Sequence, residues 1–115
     1  MTEEKKVIDE EEARNLMKNM SNKGLLILFI NTFHSRAWSN LGLIPNEAGE
    51  IKKDLAEARI AIDACQKIME VLQDLVDEKE KDVLNNLVST LQLNYVNQMS
   101  KDNVNSQKTK NTEEN

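Results

Sequence analysis

Apolar residues between positions 55 and 72 recur at alternating steps of three and four, which is the period of an α-helix with one buried face. A second apolar row follows the first at the same steps. Two adjacent rows form a face that is too wide for one neighbouring helix and suits contact with two, and the alanines in both rows permit a close crossing. The segment therefore predicts a helix that packs against two others. The first row consists of Leu55, Ala58, Ile62, Cys65, Met69 and Leu72, and the second of Ala61, Ala64, Ile68, Val71 and Leu75.

The few glycines and the single proline locate the main loop. Gly42 stands where a helix ends in the left-handed conformation and Pro45 follows it, so a first helix is predicted from position 22 or 23 to Leu41. Gly49 marks a second turn in the same loop. Only three glycines, one proline and four aromatic residues in 115 argue against a β-sandwich or barrel, which needs many turns and many β-forming residues.

Two aspartates mark the starts of the remaining helices. Asp54 and Asp77 are each followed three residues later by a glutamate, which is the capping-box pattern. Asp54 therefore precedes a second helix over Leu55–Leu72, and Asp77 begins a third that continues to about Met99. The predicted fold is an all-α, small three-helix bundle of antiparallel helical hairpins, with flexible tails and room for a short extra helix at the N-terminus.

Both ends of the chain are polar. The final segment has Val104 as its only apolar residue, so it cannot bury enough surface to offset its conformational entropy, and we expect residues 100–115 to be a disordered tail. Residues 1–20 form an acidic segment in which apolar residues at helical spacing predict a short helix over about 9–20. The helical domain itself is therefore assigned to residues 21–99.

The charge balance restricts the partners that this chain can attract. Fifteen basic and twenty acidic side chains give a net charge of −5, which argues against capture of nucleic acid or anionic lipid. A single cysteine excludes an internal disulfide framework and a Cys-rich zinc site, and it suits a reducing cytoplasm. The acidic N-terminus does not match a signal peptide, and the apolar run at residues 25–30 is much shorter than the roughly twenty residues that span a bilayer. We therefore expect a cytoplasmic protein without an integral membrane segment.

A series of short motifs follows in order along the chain: Leu41-Gly42-Leu43-Ile44-Pro45-Asn46, Asp54-Leu55, Ala58-Arg59, Ile62-Asp63, and then Leu84, Leu87, Leu91 and Tyr95-Val96. This series resembles a family of small bacterial proteins catalogued as the domain of unknown function DUF1844. The likeness covers about residues 25–97. Its most specific parts are the Leu-Gly-x-Ile-Pro turn, the Ile-Asp pair and the terminal Tyr-Val pair.

The resemblance implies a fold and a bacterial cytoplasmic setting, and no mechanism, because the family carries no established activity. The chain departs from the family pattern in a loop that is about one residue shorter and lacks a second proline. It also has Asp74-Leu75-Val76 where Gly-Asn-Leu is usual, and Gln92 where a basic residue is usual. The resemblance assigns structural roles to Leu41, Gly42, Pro45, Asp54, Asp63 and Tyr95.

Three residue types that often carry chemistry have simpler interpretations here. His34 is the only histidine and has weak neighbours for catalysis or metal binding, so we interpret it as an ordinary polar residue of the first helix. Cys65 belongs to the inner row of the second helix and is interpreted as a small buried hydrophobe. Trp38 is interpreted as a packing anchor and not as a platform for nucleic-acid bases. The sequence predicts no catalytic residue, no cofactor and no metal site.

Asp63 has two interpretations, and the sequence leaves both open. In the first, Asp63 belongs to a solvated charge ladder with Arg59 and Lys67, one helical turn to either side. In the second, it accepts hydrogen bonds from the loop at 42–50 or from the first helix.

The six consecutive apolar residues of the first helix point in every direction around its axis. We assign one stripe to the core of the bundle, namely Leu26, Ile30, Phe33 and Ala37. The remaining apolar residues form an exposed cluster of a kind that soluble monomers rarely carry, namely Leu25, Ile27, Leu28 and Phe29. A second copy of the chain is the simplest partner that would bury this cluster, since closed two-fold dimers are the commonest oligomers. The sequence therefore predicts a homodimer centred on this helix.

These observations favour a non-catalytic helical protein that acts through association with itself and with an unidentified protein partner. Two alternatives remain. One is peripheral membrane attachment through residues 25–33, and the other is an accessory role in a ribonucleoprotein, which is suggested only by the small size and bacterial setting of the family.

Overall fold

The computed structural model describes residues 10–114 of the chain, with side chains for residues 10–104. Within this range there are four helices and no strands: α1 (Glu10–Lys18), α2 (Asn22–Asn40), α3 (Leu55–Leu72) and α4 (Glu78–Glu114). The all-α prediction is confirmed, and α1 falls inside the predicted N-terminal helix. Residues 1–9, which begin the predicted acidic segment, lie outside the described residues.

α3 occupies the middle of the fold. It packs against α2 along most of its length and also against α4, whereas the contact between α2 and α4 is small. The contact of α3 with two helices is therefore confirmed. α2 and α3 therefore form a hairpin, and α4 packs against one side of it.

α2 begins and ends as its local sequence dictates. The Ser21 side chain accepts a hydrogen bond from the backbone N–H of Gly24 at 3.0 Å and caps the first turn. At the other end Gly42 has φ +78°, which is the left-handed conformation that a side chain disfavours. A Cβ atom there would also lie only 3.1 Å from Cβ of Lys53. The predicted stop at Gly42 is thus confirmed.

The loop between α2 and α3 is held by its own polar groups. The Oδ1 atom of Asn46 accepts hydrogen bonds from the backbone N–H groups of Ala48 and Glu50, at 2.9 and 3.0 Å. At the base of the loop, the backbone N–H of Asp54 donates to the carbonyl of Asn40 at 2.7 Å. This bond joins the end of α2 directly to the start of α3.

Both predicted aspartate caps are confirmed. Oδ1 of Asp54 accepts from the backbone N–H of Glu57 at 3.1 Å, and Oδ1 of Asp77 accepts from that of Glu80 at 2.8 Å. The capping box at Asp54 is half formed, because its backbone N–H is used by the carbonyl of Asn40 and not by the Glu57 side chain.

α4 is longer than predicted. Its backbone is helical to Glu114, well past the predicted end near Met99. Once a helix is nucleated, each added residue gains one hydrogen bond, and this segment contains no glycine or proline to stop it. An ion pair of 2.8 Å between Lys53 and Asp102 also joins this part of α4 to the residues just before α3.

The core lies where α3 meets its two neighbours. Of the predicted stripe on α2, Ile30 and Ala37 are buried, and Leu26 and Phe33 pack against the core. The prediction of this stripe is confirmed. The buried apolar residues are Ile30, Ala37, Leu41, Ala58, Ala61, Ile62, Cys65, Leu72, Val88 and Leu91.

Candidate interaction surface

Three consecutive apolar side chains near the start of α2 remain exposed. Ile27, Leu28 and Phe29 have exposed fractions of 40%, 43% and 43%. Leu25, the fourth residue of the predicted interface, is half-buried. Successive residues are about 100° apart around a helix, so these side chains point in different directions and do not form a single patch.

Ile27 opens onto a groove of about 220 Å³ on the α4 side of the hairpin. The groove is almost wholly apolar, and Glu80 at its edge is its only charged side chain. It lies near the N-terminus of α4, where Val83 remains exposed. The lining residues are Ile27, Leu72, Val76, Glu80, Val83 and Leu84.

α1 does not cover the exposed residues of α2. It has no buried residue, and its own apolar side chains Leu16 and Met17 are 60% and 48% exposed. The linker after α1 makes one close approach, since a Cβ atom on Gly24 would lie 2.7 Å from Cγ of Met20. Met20 therefore packs on the first turn of α2.

The second apolar row of α3 is only partly buried, which differs from the sequence-based prediction. Ala61 is buried and Ala64 and Ile68 are half-buried, but Val71 is 54% exposed. Ile60, which the two predicted rows did not include, is 60% exposed. The signal for this surface was present in the width of the apolar face, because a helix with two neighbours still has one side open to solvent.

His34 and Trp38 form a pair on α2. The Nε1–H of Trp38 donates to Nε2 of His34 at 3.0 Å, and the two rings meet edge to face with centroids 6.2 Å apart. Because Nε2 accepts, the neutral imidazole carries its proton on Nδ1. Partial burial lowers the pKa of His34 from its ordinary 6.5. Trp38 packs against the core, as predicted.

The thiol of Cys65 is buried between α3 and α2. Its Sγ lies 3.7 Å from the backbone carbonyl oxygen of Ile30. Burial raises the pKa of Cys65 to about 11, so the reactive thiolate is scarce at neutral pH. The interpretation as a buried hydrophobe is confirmed.

Asp63 lies on the solvent side of the junction between α3 and α4. Its Oδ2 is 3.9 Å from Nε of Arg59, with both side chains largely exposed. Lys67 pairs instead with Glu70 at 3.6 Å, so the predicted ladder is formed on one side only. Asp63 makes no hydrogen bond to the described loop or to α2. It lines a small depression with Arg59, Ile62, Gln92, Tyr95 and Val96.

The other residues that the resemblance singled out lie in the core or in the loop between α2 and α3. Leu41 is fully buried at the end of α2, and Tyr95 is half-buried and packs against the core from α4. Pro45 is exposed and lines a shallow depression beside the ion pair between Arg36 and Glu47, whose atoms Nε and Oε1 are 3.2 Å apart.

Two further classes of site can be addressed for the described part of the chain. Among residues 10–104, no three His, Cys, Asp or Glu side chains come together in a group that could hold a metal ion. None of the helices in the described range combines the length and the apolar character that crossing a membrane requires.

These features define a small all-α protein whose helical hairpin carries exposed apolar side chains. The family model described as "Domain of unknown function (DUF1844)" matches residues 24–97, which comprise α2, the loop, α3 and the first half of α4. The chain therefore belongs to the DUF1844 family. No curated protein and no solved structure matches the chain.

Proposed function

We propose that this protein is a non-catalytic helical module that acts by association and forms a homodimer through the exposed apolar residues of α2. The observation that carries the proposal is the exposure of Ile27, Leu28 and Phe29 in three consecutive positions. Apolar surface that a folded chain leaves exposed on several sides of one helix marks regions where a partner binds. α1 leaves them uncovered because its own apolar side chains also face solvent.

The distribution of charge supports a second copy as the partner. Residues 24–35 contain no Asp, Glu, Lys or Arg, although the chain as a whole has a net charge of −5. Two identical acidic chains repel each other over most of their surfaces. The first half of α2 is a region where they can approach without bringing like charges together.

The polar groups of the described region support a non-catalytic role. His34 is engaged by the indole of Trp38, and the Cys65 thiol is buried with a raised pKa. Neither has a nucleophile or a base as its hydrogen-bond partner, which activated catalytic groups require.

Light scattering over the micromolar range tests the proposal. We expect a mass of twice the 13.2 kDa of one chain. Phe29→Glu places a charge in the interface and is expected to give monomer with unchanged helical circular dichroism. Leu93→Glu is the matched control, because Leu93 is an exposed apolar residue of α4, and it should remain dimeric. A wild-type chain that stays monomeric throughout the range would overturn the proposal.

A further inference from the structure

The α2 residues alone are too few to hold two chains together. Burying the exposed parts of three apolar side chains on each of two copies yields little free energy compared with the translational and rotational freedom that association costs. The interface of the proposed dimer must therefore include further apolar surface.

α4 covers one face of the α2–α3 hairpin and leaves the opposite face open. On α3, the amide of Gln92 in α4 lies 3.3 Å from that of Gln66, and Ile62 lines a depression together with Tyr95. On α2, Ile27 shares its groove with Val83 of α4. Gln66, Ile62 and Ile27 therefore mark the covered side of each helix.

Two positions along a helix correspond to about 200°, which is nearly the opposite side. Phe29 is two positions from Ile27, so it lies opposite the α4 side of α2. Ile68 is two positions from Gln66, and Ala64 two from Ile62, so both lie opposite the α4 side of α3. These three residues consequently belong to one face of the hairpin, the face turned away from α4.

On this face each helix carries an apolar row. α3 continues from Ala64 and Ile68 to Ile60 and Val71, at steps of four, four and three. α2 contributes residues at steps of four. We name the whole surface the hairpin back face. Its exposed residues are Phe29 of α2 with Ile60 and Val71 of α3, and its half-buried residues are Leu25 and Phe33 of α2 with Ala64 and Ile68 of α3, of which Phe33 and Ile68 also pack against the core between the two helices.

The two rows run side by side in opposite directions. The contact of 3.7 Å between Sγ of Cys65 and the carbonyl oxygen of Ile30 fixes the relative position of α2 and α3. Phe29 is adjacent to Ile30 in the sequence, and Ala64 is adjacent to Cys65. The centres of the two rows are therefore at the same level, and the back face is continuous across both helices.

We infer that the hairpin back face binds the hairpin back face of a second copy, so that the two hairpins form a four-helix interface with α4 on the outside of each. This inference rests on the proposed function and specifies the surface that it uses. α3 then contributes as much of the interface as α2. Of the three exposed α2 residues that carry the proposed function, Phe29 lies in this interface, whereas Ile27 and its groove lie on the other side of the hairpin.

The dimensions of the back face suit a stable dimer. Helices of about 18 residues are about 27 Å long, and two of them side by side are about 20 Å wide. The footprint of such a face is about 540 Å², which is of the same order as the roughly 800 Å² that each partner buries in a standard interface.

Two cations at the border of the back face are paired within the chain. Arg36 on α2 pairs with Glu47, and Lys67 on α3 pairs with Glu70. The carboxylate of Glu57 lies at the N-terminal end of the α3 row, seven positions before Ala64, so the centre of the face remains apolar. A membrane surface is a poorer partner, because anionic lipid repels a chain of net charge −5.

A matched pair of valines tests the inference. Val71 on the back face is 54% exposed and Val83 in the Ile27 groove is 60% exposed, so Val71→Glu and Val83→Glu make the same change on opposite sides of the hairpin. Sedimentation velocity of each full-length variant at the same concentration measures its oligomeric state, and circular dichroism checks that it is folded. We expect Val71→Glu to weaken dimerisation at least tenfold, and Val83→Glu to behave as the wild type.

The outcomes separate the inference from the proposed function. A wild-type dimer that Val83→Glu dissociates and Val71→Glu does not would overturn the inference and leave the proposed function standing, with the groove as the interface. A wild-type monomer would overturn both, and flotation of that monomer with vesicles of phosphatidylcholine and phosphatidylglycerol would identify lipid as the partner instead. Repeating Val71→Glu as Val71→Lys guards against an effect of negative charge alone, and it should also give monomer.

Discussion

The indole N–H of Trp38 donates to the imidazole Nε2 of His34 across 3.0 Å, one turn apart on the same helix. Protonation of His34 places a hydrogen on Nε2 and removes this acceptor. The bond therefore exists only while the imidazole is neutral, and partial burial favours that state by lowering the pKa.

This pair makes the stability of the protein depend on pH. The pKa of His34 is lower in the folded chain than its ordinary 6.5, so the unfolded chain binds the proton more readily. The stabilisation is fully present above about pH 6.5 and is lost as the pH falls through the lower pKa of the folded state. Thermal unfolding should show this decline for the wild type and a weaker one for His34→Gln. Parallel pH profiles for the two proteins would contradict the assignment.

Gly42 and Gly49 provide a matched pair for the cost of a side chain in the loop. Both have positive φ, +78° and +79°, so alanine at either position costs about 1 kcal/mol of backbone strain. Alanine at Gly42 would also place its Cβ 3.1 Å from Cβ of Lys53. The Cβ of an alanine at Gly49 would have no neighbouring atom within 4 Å. Urea denaturation should therefore show a larger loss of stability for Gly42→Ala than for Gly49→Ala. Equal losses would mean that the Lys53 contact relaxes without cost.

The cap of α4 can be tested by removing its acceptor. Asp77→Ala deletes the oxygen that accepts from the backbone N–H of Glu80 at 2.8 Å, and it should cost about 1 kcal/mol in the free energy of unfolding. Asp77→Asn keeps an acceptor oxygen and should cost much less. The measurement is chemical denaturation of both variants, and a loss of the same size in each would place the start of the helix elsewhere.

Cys65 should be inert while the protein is folded. Its thiol is buried with a pKa of about 11, and disulfide-exchange reagents attack the thiolate. A chromogenic disulfide should therefore label the native protein slowly and the urea-unfolded protein at once. Leu93→Cys introduces a thiol at a position that is 60% exposed and lies outside the proposed interface, and this positive control should react quickly in the native protein. Fast labelling of native wild type would show that α2 and α3 separate readily.

The sequence predicted both ends of α2 and the starts of α3 and α4 well, because caps and stops are local. Asp54, Asp77 and Gly42 act on backbone groups within four residues, so short patterns are sufficient to identify them. The buried stripe of α2 was also predictable, because a helix must bury one face and the heptad-like spacing of Ile30 and Ala37 shows which one.

The exposure of Val71 was not predictable from its own helix. The two apolar rows of α3 are equally suited to burial, and the position of α4 decides which of them is covered. That position depends on long-range packing between α4 and α3, such as the approach of Gln92 to Gln66. For the same reason, the cluster predicted on α2 is divided in space: Ile27 lies beside α4, Phe29 lies on the far side, and Leu25 is half-buried.

The end of α4 was missed for a different reason. Residues 100–114 contain Val104 as their only apolar residue, and the prediction relied on apolar spacing alone. The Lys53–Asp102 ion pair and the uninterrupted backbone ladder are interactions that hydrophobic patterning does not detect.

The hydrogen bond from Asp54 N–H to the carbonyl of Asn40 closes the connecting loop at its neck. The exposed part of the loop around Gly49 can lengthen or shorten without moving the two helices that flank it, since the cost of closing a flexible loop grows only slowly with its length. The exposed turn around Gly49 is accordingly the place to splice in a reporter peptide or to open the chain for circular permutation.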